Sequence, residues 1–189
     1  MERNGGMAEW FWYFVCYSLI GFVLEVLFAR VIRNPKKDRK CLYFLPLCPV
    51  YGFGAVLILL LPPAVRQNPW LLFPCAALTA TAAEYLLGLF YERVAKVQFW
   101  DYSHLPLNVG GKVCLLFTAM WGALAMGLVY WVHPWVALLV SRIPGWLTLP
   151  AVLFLGLDIF FTLYVLRRER STDALLWYKR LGNRRRQET

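Results

Sequence analysis

Five apolar runs, each long enough to cross a lipid bilayer, constrain the fold of this chain most strongly. A helix rises about 1.5 Å per residue, so roughly 20 apolar residues span the hydrocarbon core of a membrane. The runs are Trp10–Ile32, Cys41–Leu61, Trp70–Tyr91, Val113–Trp131 and Trp146–Leu166. This pattern predicts an all-α, polytopic transmembrane helix bundle with five spans.

Composition argues against a soluble globular domain. Of the 189 residues, 60% are hydrophobic, and the mean hydropathy is +0.51. A soluble domain of this length could not hide so much apolar surface from water. We attribute the net charge of +9 to orientation in the membrane and expect no nucleic-acid partner. The five cysteines and the histidines His104 and His133 have no metal-ligand spacing, so neither a disulfide framework nor a metal or other cofactor is expected.

The second run contains helix-breaking residues near its start. Pro46 and Pro49 interrupt its first half, and Gly52 and Gly54 follow. Proline removes a backbone N–H and clashes with the preceding helical turn. We therefore predict a broken or kinked second span, whose freed backbone groups must be satisfied by protein or water.

The basic residues indicate how the bundle is oriented. With the N-terminus outside, sixteen of the 20 Lys and Arg residues lie on the inner side and three lie outside. This excess is typical of cytoplasmic segments, so we predict N-out and C-in. Residues 1–166 would form the transmembrane domain and residues 167–189 a basic cytoplasmic tail. An apolar stripe along Ser171–Leu181 predicts an interfacial amphipathic helix there, and a docking helix for a cytoplasmic partner is the alternative.

Three carboxylates lie within predicted spans: Glu25, Glu84 and Asp158. An acid at bilayer depth costs about 2.5–3.5 kcal/mol, so each should face the bundle interior and have a partner. Small residues recur at helical spacing beside the two glutamates, which places both glutamates in seams between helices. Asp158 has no such stripe of small residues.

Two interpretations of these acids stay open. In one, they are protonated or bond to tyrosines, Asn108 or freed backbone groups, and only lock the bundle together. In the other, they line a pocket or a proton path for a substrate or ion.

The stretch Phe99–Cys114 is the densest run of aromatic, acidic, amide and glycine residues in the chain. It joins spans three and four, and we expect a cytoplasmic or re-entrant loop. Trp100 and Tyr102 can anchor such a loop at the interface, while Asp101 and Asn108 supply hydrogen-bonding groups. Gly110-Gly111 permits a tight turn.

Several blocks of the sequence resemble a family of small bacterial membrane proteins called the Putative ABC-transporter type IV, or CmpB-like, family. The matching blocks are Gly21–Glu25, Leu45–Gly54, Glu84–Gly88, Phe99–Ser103, Leu107–Gly111, Val113–Cys114 and Trp121–Gly122. They cover spans one to four in order. The resemblance implies a multi-pass protein of the bacterial inner membrane that acts as a permease.

Our hypothesis is a small membrane protein of transport type with a buried acidic core in its cytoplasmic half. The candidate pathway residues are Glu25, Glu84, Tyr51, Trp100, Asp101, Tyr102 and Asn108. Candidate partners are membrane lipids, further copies of the chain and an ATP-binding subunit. The alternatives are a membrane-embedded enzyme that uses Glu25 and Glu84 as acid and base on a lipidic substrate, and a structural or assembly subunit.

Overall fold

The chain is mostly helical. The computed structural model describes residues 6–31 and 40–178. Its helices are α1 (Met7–Val31), α2 (Pro49–Leu59), α3 (Pro63–Arg66), α4 (Pro69–Phe90), α5 (Leu115–Gly127), α6 (His133–Ser141) and α7 (Thr148–Glu169). Two short strands, β1 (Asn108–Val109) and β2 (Val113–Cys114), pair antiparallel. Single π-helical turns cover Tyr91–Ala95 and Leu128–Val132, and 3₁₀ turns cover Gly145–Leu147 and Thr172–Leu175.

Within residues 6–31 and 40–178, four helical segments are long and apolar enough to cross a membrane. They are Met7–Val31, Pro69–Ala95, Leu115–Ser141 and Gly145–Glu169. The second predicted span, Cys41–Leu61, instead contains only the 11-residue helix α2. The helices are those of a membrane protein, whereas the count of five crossings and the N-out orientation stay predictions.

The second apolar run is broken, as its prolines predict. Residues 40–48 are not helical, and α2 begins only at Pro49, the second of the two prolines. Helix α7 accepts hydrogen bonds from backbone N–H groups in the middle of this segment. Both carboxylate oxygens of Asp158 accept hydrogen bonds, from the N–H of Phe44 at 2.9 Å and of Leu45 at 2.7 Å. Asp158 is fully buried, so the segment is held inside the bundle.

Close approach of two helices fixes where α2 lies. A Cβ added to Gly21 of α1 would lie 2.2 Å from the Cβ of Tyr51, and one on Gly52 would lie 2.2 Å from the Oγ of Ser18. The N–H of Cys48 also donates to the carbonyl of Ser18, at 2.9 Å. These contacts place the start of α2 beside the middle of α1, as expected where small residues line a helix seam.

The prediction for the fourth span is wrong at its end. The sequence predicts that this span ends at Trp131 and that His133-Pro134 and Pro144-Gly145 bracket a connection whose middle, Trp135–Val140, is too short to cross. Instead α5, a π-helical turn and α6 form one segment, Leu115–Ser141. Pro134 lies in the first turn of α6, directly after that π-helical turn, where its missing N–H costs little.

The start of the tail packs onto the bundle. Over the described part of the predicted amphipathic helix, the chain forms the 3₁₀ turn Thr172–Leu175. Leu175 is fully buried in a cluster with Tyr91 and Leu166, and the indole of Trp177 donates to the carbonyl of Tyr43 at 3.0 Å. The remainder of the predicted amphipathic helix, from residue 179, lies outside the described residues.

Candidate functional site

Glu84 is the centre of the polar cluster inside the bundle. It lies on α4 and is 3% exposed. Its Oε1 accepts a hydrogen bond from the Tyr102 hydroxyl at 3.0 Å, and its Oε2 accepts one from the Trp121 indole at 2.8 Å. Each carboxylate oxygen thus has a donor, which meets the requirement that a buried acid be hydrogen-bonded. Both of these donors are neutral groups.

Glu25 belongs to the same cluster through aromatic neighbours. Its Oε1 accepts a hydrogen bond from the Tyr51 hydroxyl at 3.0 Å. The ring of Tyr51 packs edge-on against the indole of Trp121, with centroids 5.1 Å apart. Tyr51 and Trp121 thus touch each other, and each donates a hydrogen bond to one glutamate. They link Glu25 of α1 to Glu84 of α4.

Tyr102 reaches Glu84 from the connection between α4 and α5. Its ring stacks on Phe117 of α5 with centroids 4.4 Å apart, which aims the hydroxyl at the carboxylate. Burial raises the pKa of this hydroxyl well above its ordinary value, so it keeps its proton and acts as a donor. Phe117 also meets Phe28 of α1, with centroids 6.4 Å apart, and these rings join α1 to α5 beside the cluster.

Three other predicted site residues shape this connection. The Trp100 indole donates to the carbonyl of Lys112 at 2.8 Å. The Oδ1 of Asp101 accepts from the N–H of Ser103 at 2.8 Å, a bond that lowers the pKa of this exposed carboxyl. The Asn108 amide donates to the carbonyl of Leu105 at 2.8 Å.

These bonds hold the connection in one conformation around a glycine turn. The Oδ1 of Asn108 also accepts from the N–H of Gly111 at 3.1 Å. Gly110 and Gly111 adopt positive φ values of 58° and 67° between β1 and β2, as their sequence predicts. A Cβ on Gly111 would lie 2.6 Å from the Oδ1 of Asp101, so the turn and the acid fit tightly.

A cavity of about 490 Å³ lies beside the cluster. Its walls are largely apolar and come mainly from α1, α2 and α5, and Tyr17, Tyr51 and Trp121 are among the residues that line it. Representative lining residues are Ile20, Gly21, Gly54, Ile58, Leu124 and Leu128. A largely apolar cavity with a few polar groups is the usual form of a small-molecule site. Tyr51 and Trp121 therefore line the cavity and bond to the two glutamates.

The structure brings together four of the seven predicted pathway residues. Glu25, Tyr51, Glu84 and Tyr102 belong to one cluster, while the polar groups of Trp100, Asp101 and Asn108 bond within their own connection. Among residues 6–31 and 40–178, no group of three or more His, Cys, Asp and Glu side chains could hold a metal ion.

Sequence reasoning missed two partners. Trp121 donates to Glu84, although it was noted only as part of a matching block. Its position at i+3 from Thr118 and i+7 from Cys114, on the small-residue face of α5, was the available signal. Asp158 accepts from the backbone of residues 44 and 45, which no helical stripe could reveal.

One of the comparisons with known proteins shows the family. A family model described as Putative ABC-transporter type IV matches residues 12–165. The chain belongs to this family. Comparison with curated proteins and with solved structures finds no match.

The family model matches a longer part of this Putative ABC-transporter type IV protein than the blocks of resemblance, which cover only spans one to four. It extends beyond the fourth span into α7 and includes position 158. The acid cluster, its two linking aromatic residues and the Asp158 contact therefore all lie within the matched region.

Proposed function

We propose that this protein is a permease-type transporter of the bacterial inner membrane, with Glu25 and Glu84 as the ion-binding groups of its pathway. The observation that carries the proposal is the link between the acids and the cavity. Tyr51 and Trp121 line the cavity, touch each other and each bond to one glutamate. A ligand in the cavity would therefore contact the partners of both carboxylates.

The chemistry of the cluster supports exchange of a proton or cation. A carboxylate inside a membrane binds a proton or cation strongly because no water competes, and such acids commonly mark ion pathways. The tyrosine and tryptophan groups that contact Glu84 can stabilise its ionised form without neutralising it. Loss of a proton or cation from Glu84 would strengthen both hydrogen bonds and draw the two rings toward the acid.

Purified protein in proteoliposomes with an entrapped pH-sensitive dye tests this proposal. An imposed pH gradient should dissipate faster than in empty vesicles, and Glu25→Gln and Glu84→Gln should each remove most of that difference. Glu9→Gln is the matched control, because Glu9 also accepts from a tyrosine, Tyr13, at 2.6 Å but lies at the start of α1.

The outcomes distinguish an ion-pathway role of the two glutamates from a structural role. Loss of flux in folded glutamine variants, with Glu9→Gln unaffected, supports the pathway. Unchanged flux in both folded variants contradicts it. Variants that no longer fold would assign the acids a structural role, as in an assembly subunit.

A second candidate function rests on the apolar lining of the same cavity. A lipidic substrate could lie against α1 and α5 and bring a polar end to Tyr51 and Trp121. An enzyme of this kind would need one carboxyl group poised as acid or base within reach of the reacting bond. Lipid extracted with the purified protein, and altered on incubation with wild-type but not Glu84→Gln protein, would favour this function.

The family description also motivates the proposed partner. If the chain works with an ATP-binding subunit, tagged protein purified in mild detergent should carry that subunit in a fixed ratio, as mass spectrometry can measure. Protein that purifies without an ATPase would point to a stand-alone transporter, alone or with further copies of the chain.

A further inference from the structure

Two cysteines meet at the break in the second apolar run. The Sγ atoms of Cys41 and Cys48 lie 2.9 Å apart. A disulfide bond is about 2.05 Å long, so the two sulfur atoms need approach by only about 0.9 Å to bond. Their spacing in the sequence, with six residues between them, gave no sign of this contact.

Contacts to other helices already hold the chain between the two cysteines in place. The N–H of Tyr43 donates to the Thr162 hydroxyl at 2.8 Å, and Asp158 accepts from the next two N–H groups. At the far end, the N–H of Cys48 donates to the carbonyl of Ser18. The two thiols are thus brought together by the fold itself, which gives them a high effective concentration for one another.

The two thiols differ in access. Cys41 is half-buried, while Cys48 is 4% exposed. A small reagent can therefore meet Cys41 first, and Cys48 can then act on the product from inside the fold. An accessible cysteine next to a second, resolving cysteine is the usual arrangement of a thiol redox site.

We propose that Cys41 and Cys48 form a reversible intramolecular disulfide by exchange with a small-molecule disulfide such as oxidised glutathione. The Cys41 thiolate attacks one sulfur of that disulfide, forms a mixed disulfide and releases one thiol. The Cys48 thiolate then attacks the Cys41 sulfur, forms the Cys41–Cys48 bond and releases the second thiol. The protein loses two protons and two electrons, and the small disulfide is reduced to two thiols.

The bond would fix the entry to α2. Cys48 immediately precedes Pro49, the first residue of α2, and Tyr51, which donates to Glu25, follows two residues later. Oxidation would close a ring over residues 41–48 and restrain the start of α2. Reduction would leave this segment dependent on its hydrogen bonds to α1 and α7. The Cys41–Cys48 bond can form whether or not Glu25 and Glu84 carry ions.

Peptide mapping tests the proposal directly. Trypsin cleaves after Lys40 and next after Arg66, so both cysteines fall in the peptide 41–66, while Cys16, Cys75 and Cys114 fall in three other peptides. Purified protein is incubated with excess oxidised glutathione, denatured and alkylated. The alkylated fraction of peptide 41–66 should fall at least about tenfold. The unalkylated peptide should be lighter by two hydrogen atoms than its dithiol form, and dithiothreitol should reverse both changes.

Variants provide the controls. Cys75→Ser should oxidise like the wild type, because Cys75 is also half-buried but lies on α4. Cys48→Ala should instead trap a mixed disulfide with glutathione on Cys41, provided that gel filtration shows it folded. Cys41→Ser should leave Cys48 fully open to alkylation after denaturation. Wild-type protein that accumulates the mixed disulfide, or in which peptide 41–66 is alkylated as fully as the Cys75 peptide, would overturn the proposal.

Discussion

Asp158 of α7 accepts a hydrogen bond from the backbone N–H of Leu45, 2.7 Å away and 113 positions earlier in the chain. The N–H of Phe44 bonds to the other carboxylate oxygen. One buried carboxylate thus satisfies two of the backbone N–H groups that the break in the second run leaves without helical hydrogen bonds. Backbone groups in a membrane interior need such internal partners.

Replacement of Asp158 by asparagine should therefore destabilise the bundle. An amide offers one acceptor oxygen where two N–H groups need one each, and an unsatisfied buried group costs about 1–3 kcal/mol. Thermal unfolding in detergent, followed by the fluorescence of the nine tryptophans, should show a lower Tm. Glu92→Gln is the control, because Glu92 forms a partly exposed ion pair with Lys112, and exposed ion pairs contribute little to stability. Equal Tm values for the two variants would contradict the role of Asp158.

The contact between α1 and α2 predicts opposite effects for two neighbouring glycines. A Cβ on Gly52 would lie 2.2 Å from the Ser18 Oγ and 2.7 Å from the Phe14 carbonyl, so Gly52→Ala must push the helices apart. Overpacking of this kind costs about 1–3 kcal/mol. A Cβ on Gly54 would meet its nearest neighbour, Ala80, only at 4.0 Å. Gly54→Ala should therefore keep or raise the Tm, since alanine favours a helix over glycine by about 1 kcal/mol. If Gly52→Ala melts at or above the wild-type temperature, the close approach described here is wrong.

Removal of one hydroxyl group tests the bond between Tyr102 and Glu84. Tyr102→Phe keeps the ring that stacks on Phe117 but removes a donor to the buried carboxylate. Bonds to charged groups contribute about 1.5–3 kcal/mol, so the free energy of unfolding should fall by roughly that amount. Tyr130→Phe is the matched control, because the Tyr130 hydroxyl donates to the carbonyl of Arg66 at an exposed position. A loss no larger than that of Tyr130→Phe would argue against an ionised Glu84.

The distribution of basic residues predicts the orientation of the chain. A green fluorescent protein fused after residue 189 should fluoresce in bacterial cells, because the tail carries eight of the 20 basic residues and should stay inside. Alkaline phosphatase fused at the same point should be inactive, since it matures only outside the cytoplasm. The opposite pair of results would reverse the predicted topology and place the connection around Trp100 outside.

Much of the fold could be predicted because it depends on local sequence. Apolar runs of span length predicted the helices α1, α4 and α7 to within a few residues of their observed bounds. Pro46 and Pro49 predicted the break before α2. The extent of the fourth span could not be predicted in this way. Whether Pro134 ends a helix depends on the π-helical turn that precedes it, and that turn has no recognisable sequence pattern.

The candidate site, like the fold, could be predicted only in part from the sequence. That Glu25 and Glu84 face helix seams could be predicted from the sequence, because the cost of an acid in lipid and the spacing of small residues leave few alternatives. Which groups contact them depends on how the helices pack. Trp121 reaches Glu84 across 37 positions, and Cys41 meets Cys48 because α1 and α7 hold the chain between them. Such contacts depend on the angles and close approach of packed helices, which the periodicity of a single helix does not encode.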